Sequence, residues 1–368
     1  MKILDTGIIY RNPAPHVKSI HAYFPSIDRI SDKELVGTIV LGEAFEAANL
    51  RSYFVNSHDG GTTWKIRGKI CVDDNTRTIM SDACRLKVLR GKEILVFLVR
   101  HDRTAHPNKG LTNEKNLGFV TTFLYTVRSK DGGKNWEEPI KIKPPLTGPC
   151  FELCSSPVPL DNGNILLPTS TWRGWDGYCP NGMKAVAFIS YDNGQTWPDY
   201  TDVMKDPLGK IIFWESKIAQ LSDGRLLAVA WTYNEKKGKD LQNHYAVSID
   251  YGKTWSKPMP TGIWGQTPAI LPLDAGEVLF VYRRVDKPGL WANVCLIKNG
   301  KWINRMELPL WGWESRGLIK MGKNMAVNFQ GLRFGAPCIV GLQSDVVMVA
   351  FWCYEDFVSN VRWIKIKI

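Results

Sequence analysis

The sequence predicts an all-β chain folded as one six-bladed β-propeller, and three observations carry that reading. The first is an octet that recurs four times, beginning at Ser57, Ser129, Ser190 and Ser248 and ending at Trp64, Trp136, Trp197 and Trp255. Each copy reads S-x-D-x-G-x-[TN]-W and follows a β-rich run such as SYFVN, FLYTV, AVAFI or HYAV. An aspartate that accepts from turn amides, a glycine for positive φ and a tryptophan to pin the turn predict a hairpin connection in each repeat. The aspartates are separated by 72, 61 and 58 residues, a length that holds four strands.

The second observation is an apolar strand, a polar turn and another apolar strand ahead of each octet. It appears as LKVL-RGKE-ILVFLV, SPVPL-DNGN-ILLPTSTW, IAQL-SDGR-LLAVAW and AILPL-DAGE-VLFVY, with weaker copies SIDRI-SDKE-LVGTIV and IVGL-QSD-VVMVAFW. CLIKNGKW, residues 295–302, is an octet that has lost residues, so the units number six. The third observation is a shortage in the last unit, where SNVRWIKIKI provides a third strand and nothing a fourth. The β-rich segment 1–10, containing KILDTGIIY, is predicted to supply it and close the domain, 1–368, leaving no exposed sheet edge.

Composition bounds the function. The 368 residues are 44% hydrophobic and 23% charged, which are globular values; the length alone suggests two or more domains, and the repeats override that. No apolar run reaches membrane-helix length, and Asp5 interrupts the position where a secretory core would be apolar, so the expectation is a cytoplasmic protein with no membrane partner. Eight cysteines are sparse for a disulfide scaffold, and Cys84, Cys154, Cys295, Cys338 and Cys353 lie in apolar runs, which fits free thiols in a reducing compartment. The net charge, 47 − 36 = +11, favours anionic ligands, but the cations are scattered and nucleic acid is not expected. No C-x-x-C, H-x-H or H-E-x-x-H pattern occurs, so neither a metal nor a cofactor is expected.

Strand alternation places the candidate site. Starts of first strands and ends of second strands share one end of each blade, and the octets share the other. Second-strand ends read LGEAFE, VRHDR, STWRGWD, AWTYNE, VYRRVD and FWCYED, all aromatic or charged. First-strand starts contribute His21 and Tyr23, Asp82, Glu152, Glu215, Gln266 and Arg333. Carboxylates in crowded, apolar first strands are costly unless paired or functional. Asp82, Glu152 and Glu215 there, with Glu46 at a second-strand end, are the catalytic candidates for an acid and an ionised partner, with structural ion pairs as the competing reading. Arg100, Arg103, Arg173, Arg283 and Arg284 suit an acidic sugar, and Trp172, Trp175, Trp231 and Trp352 suit sugar faces, with rim packing as the alternative.

The octets resemble the Asp-boxes, or bacterial neuraminidase repeats, of sialidases and related glycosidases, a resemblance that covers nearly the whole chain. It implies the six-bladed sialidase fold and a glycosidase. Glu215, in E-x-x-x-x-x-L-x-D-G-R, matches the sialidase glutamate that activates the tyrosine nucleophile. Elsewhere the chain departs from the pattern. Tyr23-Phe24-Pro25-Ser26 stands where sialidases carry Arg-Ile-Pro, Trp231 stands at the second triad arginine, and Gly335-Ala336-Pro337-Cys338 stands near the nucleophile tyrosine. The resulting expectation is a glycoside hydrolase, exo-acting on a terminal acidic sugar of a glycan. The alternatives are a uronate lyase, with His101 or Tyr233 abstracting the proton, and a non-catalytic glycan-binding propeller. His21, Tyr23, Arg100, His101, Trp172, Arg173, Trp231, Tyr233, Gln266, Arg283, Arg284, Arg333 and Trp352 are the expected substrate contacts.

Overall fold

Six antiparallel sheets, each of at least four strands, make up the computed structural model, which describes residues 1–71, 78–315, 325–329 and 331–368. They are the blades of a six-bladed β-propeller, as the repeats predict. The chain divides into two compact units. The first, Met1–Thr112 with Val120–Ile142 and Arg333–Ile368, holds blades one, two and six; the second, Asn113–Phe119 with Lys143–Leu332, holds blades three, four and five.

Blade two shows why these sequences form these sheets. Its strands Met80–Val88, Ile94–Asp102, Thr122–Ser129 and Ile140–Lys141 pair in chain order. In the second, Ile94 to Val99 are all buried, because both faces of the sheet are covered and no polar alternation is required. The same unbroken burial recurs in Ile165–Trp172 of blade three and through most of Leu226–Asn234 of blade four. Burying a Leu, Val or Phe side chain contributes roughly 1.5–3 kcal/mol, so these second strands are the main hydrophobic investment of each blade.

The sixth blade takes its outer strand from the other end of the chain. Lys2–Tyr10 pairs antiparallel with Val358–Lys367, from Lys2 opposite Lys367 to Tyr10 opposite Val361. Gly7 lies under the Trp363 ring, where a Cβ would come within 2.4 Å of the indole.

The octets are turns at the far end of each blade from the candidate site. In the first, Ser57 Oγ accepts from Gly61 N at 2.9 Å, and Asp59 Oδ1 accepts from Thr62 N and Thr63 N at 3.0 and 2.9 Å. Thr63 Oγ1 donates to Asp59 Oδ2 at 2.6 Å, and Trp64 Nε1 donates to Gly61 O at 2.9 Å. Some desolvation opposes ionisation of Asp59, but the bonds from Thr63, Ser57 and Thr62 win and hold its carboxyl down at about 2. Gly60 N donates to Lys33 O, and Gly132 N to Lys92 O, tying octets to the first turn of their blades. In blade five the shortened octet is a two-residue turn: Asn299 and Gly300 have φ of 51° and 71° between the paired Lys298 and Lys301. Two left-handed residues in succession give the hairpin turn whose twist matches the strands, and Asn-Gly is its preferred sequence.

Candidate functional site

Within every blade the register brings the first-strand start to the second-strand end: His21 faces Gly42, Met80 faces Asp102, Cys150 faces Trp172, Ile211 faces Asn234, Gly265 faces Arg284 and Phe334 faces Cys353. The sequence candidates fall into two groups, one in each unit.

In the second unit the first strand of blade four, Ile211–Gln220, is irregular. Trp214 pairs with Trp231, the register then slips, and pairing resumes at Lys217 with Val229. Glu215 lies in the slip with φ of 46°. Phe24, Thr267 and Ala336 occupy the corresponding slips of blades one, five and six with φ of 51°, 48° and 45°. A non-glycine residue in this conformation costs on the order of 1–3 kcal/mol, and bulges of this kind re-aim a side chain. Of the four, only Glu215 is ionisable.

Glu152 follows the short strand Cys150–Phe151 of blade three and reaches blade four: its Oε2 accepts from Glu215 N at 2.9 Å and from Cys154 Sγ at 3.1 Å. Burial, then the negative charge of Glu215, push the Glu152 carboxyl up to about 7, against the opposing effect of those two bonds and of the Lys217 charge. Lys217 Nζ donates to Glu215 O at 3.2 Å and also to Cys154 O. Lys217 was not a sequence candidate; its signal is its place two residues after Glu215, beyond the bulge.

A second network lies between blades four and five. Arg283 is 2% exposed and donates through Nε and Nη2 to Gln266 Oε1 at 2.9 and 2.7 Å. Gln266 Nε2 donates to Asp240 Oδ2 at 2.8 Å, and Trp231 Nε1 donates to Asp240 Oδ1 at 2.6 Å. Burial lowers the Arg283 guanidinium to about 10, while the Glu215 and Asp240 charges oppose it. Asp240 is the functional-looking group that the sequence concealed, since KKGKDLQ reads as a solvated loop.

The aromatic candidates here are corrected by their burial. Trp172, Trp231 and Tyr233 are 5%, 1% and 2% exposed, and Trp214 lies against all three at ring separations of 5.0, 4.8 and 5.3 Å. Their faces pack on one another instead of opening to a sugar. Trp172 Nε1 is also spent on Leu117 O at 2.6 Å. Arg173 is paired with Glu235 at 2.6 Å. Arg284, next to Arg283 on an alternating strand, faces away from Gln266 and bonds Asp286 and Glu307 at 2.8 and 2.9 Å over the Trp291 ring.

In the first unit the blade-two strand Met80–Val88 has no slip. Asp82 Oδ1 accepts from Ser52 N of blade one at 2.6 Å, and Asp82 N donates to Leu50 O at 3.1 Å. Burial raises the Asp82 carboxyl against the Ser52 bonds and the Arg51 and Arg100 charges. Asp82 thus stitches neighbouring blades together. Arg100 pairs across from it and lies over the Tyr125 ring. Glu46 Oε2 accepts from Leu111 N at 2.9 Å, its carboxyl raised by burial, and the wholly buried Arg103 donates to Glu46 O at 2.7 Å. These are loop braces, bonded to backbone at Leu111 N and Glu46 O.

His21 stacks on Tyr23 and Tyr354 with centroids 5.9 and 6.2 Å away, and its Nδ1 accepts from Ser359 N at 3.1 Å. Tyr23, pushed up to about 12 by burial, meets Trp352 edge-on at 5.2 Å. Trp352 is 2% exposed and, like Trp172 and Trp231, is packing. Arg333 is exposed and lies over Tyr354 at 5.9 Å. The two residues of the lyase reading are both buried, 6% and 2% exposed, with His101 held down at about 4 and Tyr233 pushed up by that burial. Among the described residues no group of three His, Cys, Asp or Glu side chains is placed to hold a metal ion.

No family model and no curated protein matches the chain. Solved structures do. A protein of unknown function from Dyadobacter fermentans superposes with TM-score 0.74 at 21% identity, covering 100% of this chain and 99% of that one. The intramolecular trans-sialidase of Ruminococcus gnavus, in complex with oseltamivir carboxylate, gives 0.66 at 13% identity over 95% and 94%. An α-L-arabinanase of Penicillium chrysogenum complexed with arabinobiose gives 0.66 at 13% over 100% and 99%. At these identities the likeness is one of fold, and the fold this chain shares with them is the β-propeller.

Proposed function

We propose that the chain is a glycoside hydrolase acting on a glycan, with Glu152 as the proton donor and Glu215 as its ionised partner. The observation that carries this is the contact between the two residues, Glu152 Oε2 accepting from Glu215 N at 2.9 Å, in a setting where burial and the Glu215 charge raise the Glu152 carboxyl. Two carboxyls whose environments separate their proton affinities are what cleavage of a glycosidic bond requires: one protonates the departing oxygen, the other serves as base or stabilises the cationic sugar. The slip recurs in blades one, five and six, and what supports the reading in blade four is that an ionisable residue, Glu215, occupies it. Lys217 holds the Glu215 carbonyl, and Arg283 holds positive charge near both Glu215 and Asp240. The net charge of +11 supports a terminal acidic sugar. Gly335–Cys338, where sialidases carry their tyrosine, supports an activity that forms no tyrosyl intermediate.

The test is a panel of aryl glycosides that includes sialyl and uronyl members, read for phenol release. Turnover of at least one member, cut by about 100-fold or more in Glu215→Gln, is the expected result. The alternative is a non-catalytic glycan-binding propeller, for which the buried faces of Trp172, Trp231 and Trp352 offer no stacking surface. It replaces the enzyme if no member turns over while a glycan binds wild type and Glu215→Gln alike.

A further inference from the structure

At the octet end of blades one and two lies a cavity of about 580 Å³. Its size is that of a small-ligand site. We propose that it is a second binding site, for an anionic saccharide, independent of the chemistry assigned to Glu152 and Glu215.

The walls combine what such a ligand needs. Trp136, half-buried, lines the cavity and packs edge to face on the buried Phe54 at 5.3 Å, which holds its ring in place as the aromatic wall. The C–H faces of a pyranose pack on such rings. Arg67, Lys69 and Lys134 line the cavity as exposed cations, against one carboxylate, Glu34, which Lys92 engages at 3.1 Å. Asn56 and His58 add polar groups: Asn56 accepts from Arg67 Nε at 2.8 Å, and its Nδ2 is 3.0 Å from His58 Nε2. That bond fixes the Arg67 fork, and a fixed guanidinium is the group best shaped for a carboxylate or sulfate.

The backbone is opened for access. Gly68 sits at a register slip between the third and fourth strands of blade one, and an added Cβ there meets nothing within 4 Å. Gly133 lies against Phe54, where a Cβ would come within 2.2 Å, so the octet of blade two can press on the aromatic wall only with glycine. One exposed ion pair is worth about 0–1 kcal/mol. Three cations converging on one concave site with an aromatic floor give a multidentate anion selectivity that a scattered surface does not.

The full chain is titrated with trigalacturonate, with a sulfated heparin tetrasaccharide and with neutral galactotriose, following binding heat and tryptophan fluorescence. Binding of at least one anionic probe, tenfold or more tighter than galactotriose, is expected. The double variant Arg67→Glu/Lys134→Glu should weaken it at least tenfold with an unchanged unfolding midpoint, and Glu215→Gln should leave it unchanged. Should that double variant lose stability, Trp136→Phe serves instead, abolishing the fluorescence change that the bound probe causes. The proposal is overturned if neither anionic probe binds, if galactotriose binds equally, if inorganic sulfate binds as tightly as the sugars, or if the charge reversal has no effect.

Discussion

Blades two and four each carry a carboxylate in the first strand, Asp82 and Glu215, and use it in opposite ways. The blade-two strand is regular, so Asp82 stays in the pleat, and the neighbouring backbone claims it through Ser52 N at 2.6 Å. The blade-four strand slips at Glu215, whose φ of 46° turns the residue out of the pleat and places its amide against Glu152. Both sequences read as acidic residues in apolar strands. What separates them is one extra residue in the ladder, which frees a side chain from sheet geometry at a conformational cost.

The sharpest way to break this comparison is to neutralise each carboxylate without changing its shape. Glu215→Gln should lower kcat by about 100-fold or more while leaving stability within about 0.5 kcal/mol. Asp82→Asn should do the reverse, costing about 1–3 kcal/mol in denaturant unfolding through weakened buried bonds, with kcat per folded molecule within about threefold. An Asp82→Asn protein that folds normally and fails to turn over would place the chemistry in the first unit and sink the assignment.

The two units also respond oppositely to pH. Glu152, raised to about 7, is protonated below that value and donates; above it the proton is gone, so turnover should fall about tenfold per pH unit on the alkaline side. Glu152→Gln should remove that limb and slow poor leaving groups more than activated aryl ones. In the first unit His101 is held at about 4 against an ordinary 6.5, by burial and then by the Arg103 charge. A depressed histidine stabilises the fold fully above the ordinary value, and that stability is lost as pH falls from about 6.5 to 4, on the order of 3 kcal/mol at the limit. His101→Gln should flatten the acid side of a stability-against-pH curve measured by denaturant midpoint. An unchanged slope would show that His101 is not buried neutral.

How much of this is legible in the sequence depends on the length scale of the signal. The octets are local: the partners of Asp59 all lie between Ser57 and Thr63, so eight residues specify the turn and four copies specify the blades. The pairing of Lys2–Tyr10 with the last strand is also legible, because a sixth unit lacking a fourth strand leaves one β-rich segment to fill it. Glu215 and Glu152 are found as acids in apolar strands. Their division of labour is not, since it rests on a register slip and on a carboxylate reaching a backbone amide 63 residues away. Asp240 is hidden for the same reason: its partners Trp231 and Gln266 come from two blades. The tryptophans misled because a side chain at a strand end is open or covered according to loops whose paths periodicity does not encode, as Leu117 over Trp172 shows.

The smallest expected effect contrasts two ways of making the same connection between a third and a fourth strand. In blade three, Asp192 Oδ1 accepts from Ser190 Oγ, Gln195 N and Thr196 N at 2.8, 3.1 and 2.9 Å, and Oδ2 accepts from Thr196 Oγ1 at 2.6 Å. Asp192→Ala leaves those donors to water where they reach it and unpaired where they do not, and should cost about 1–2 kcal/mol. In blade five none of that bonding comes from an aspartate: Asn299 and Gly300 shape the turn at φ of 51° and 71°, and Tyr245 of blade four braces it, donating to Gly300 O at 2.9 Å and accepting from Trp302 N at 3.1 Å. Asn299→Gly keeps the left-handed region accessible and gives up only chain entropy, so its unfolding midpoint should shift by less than about 0.5 kcal/mol in either direction. Turnover per folded molecule should be unchanged in both, because both turns lie at the end of their blades opposite Glu152 and Glu215. If Asn299→Gly costs as much as Asp192→Ala, the asparagine side chain holds the blade-five turn as the aspartate holds the octet, and the shortened connection is an octet in function as well as in position.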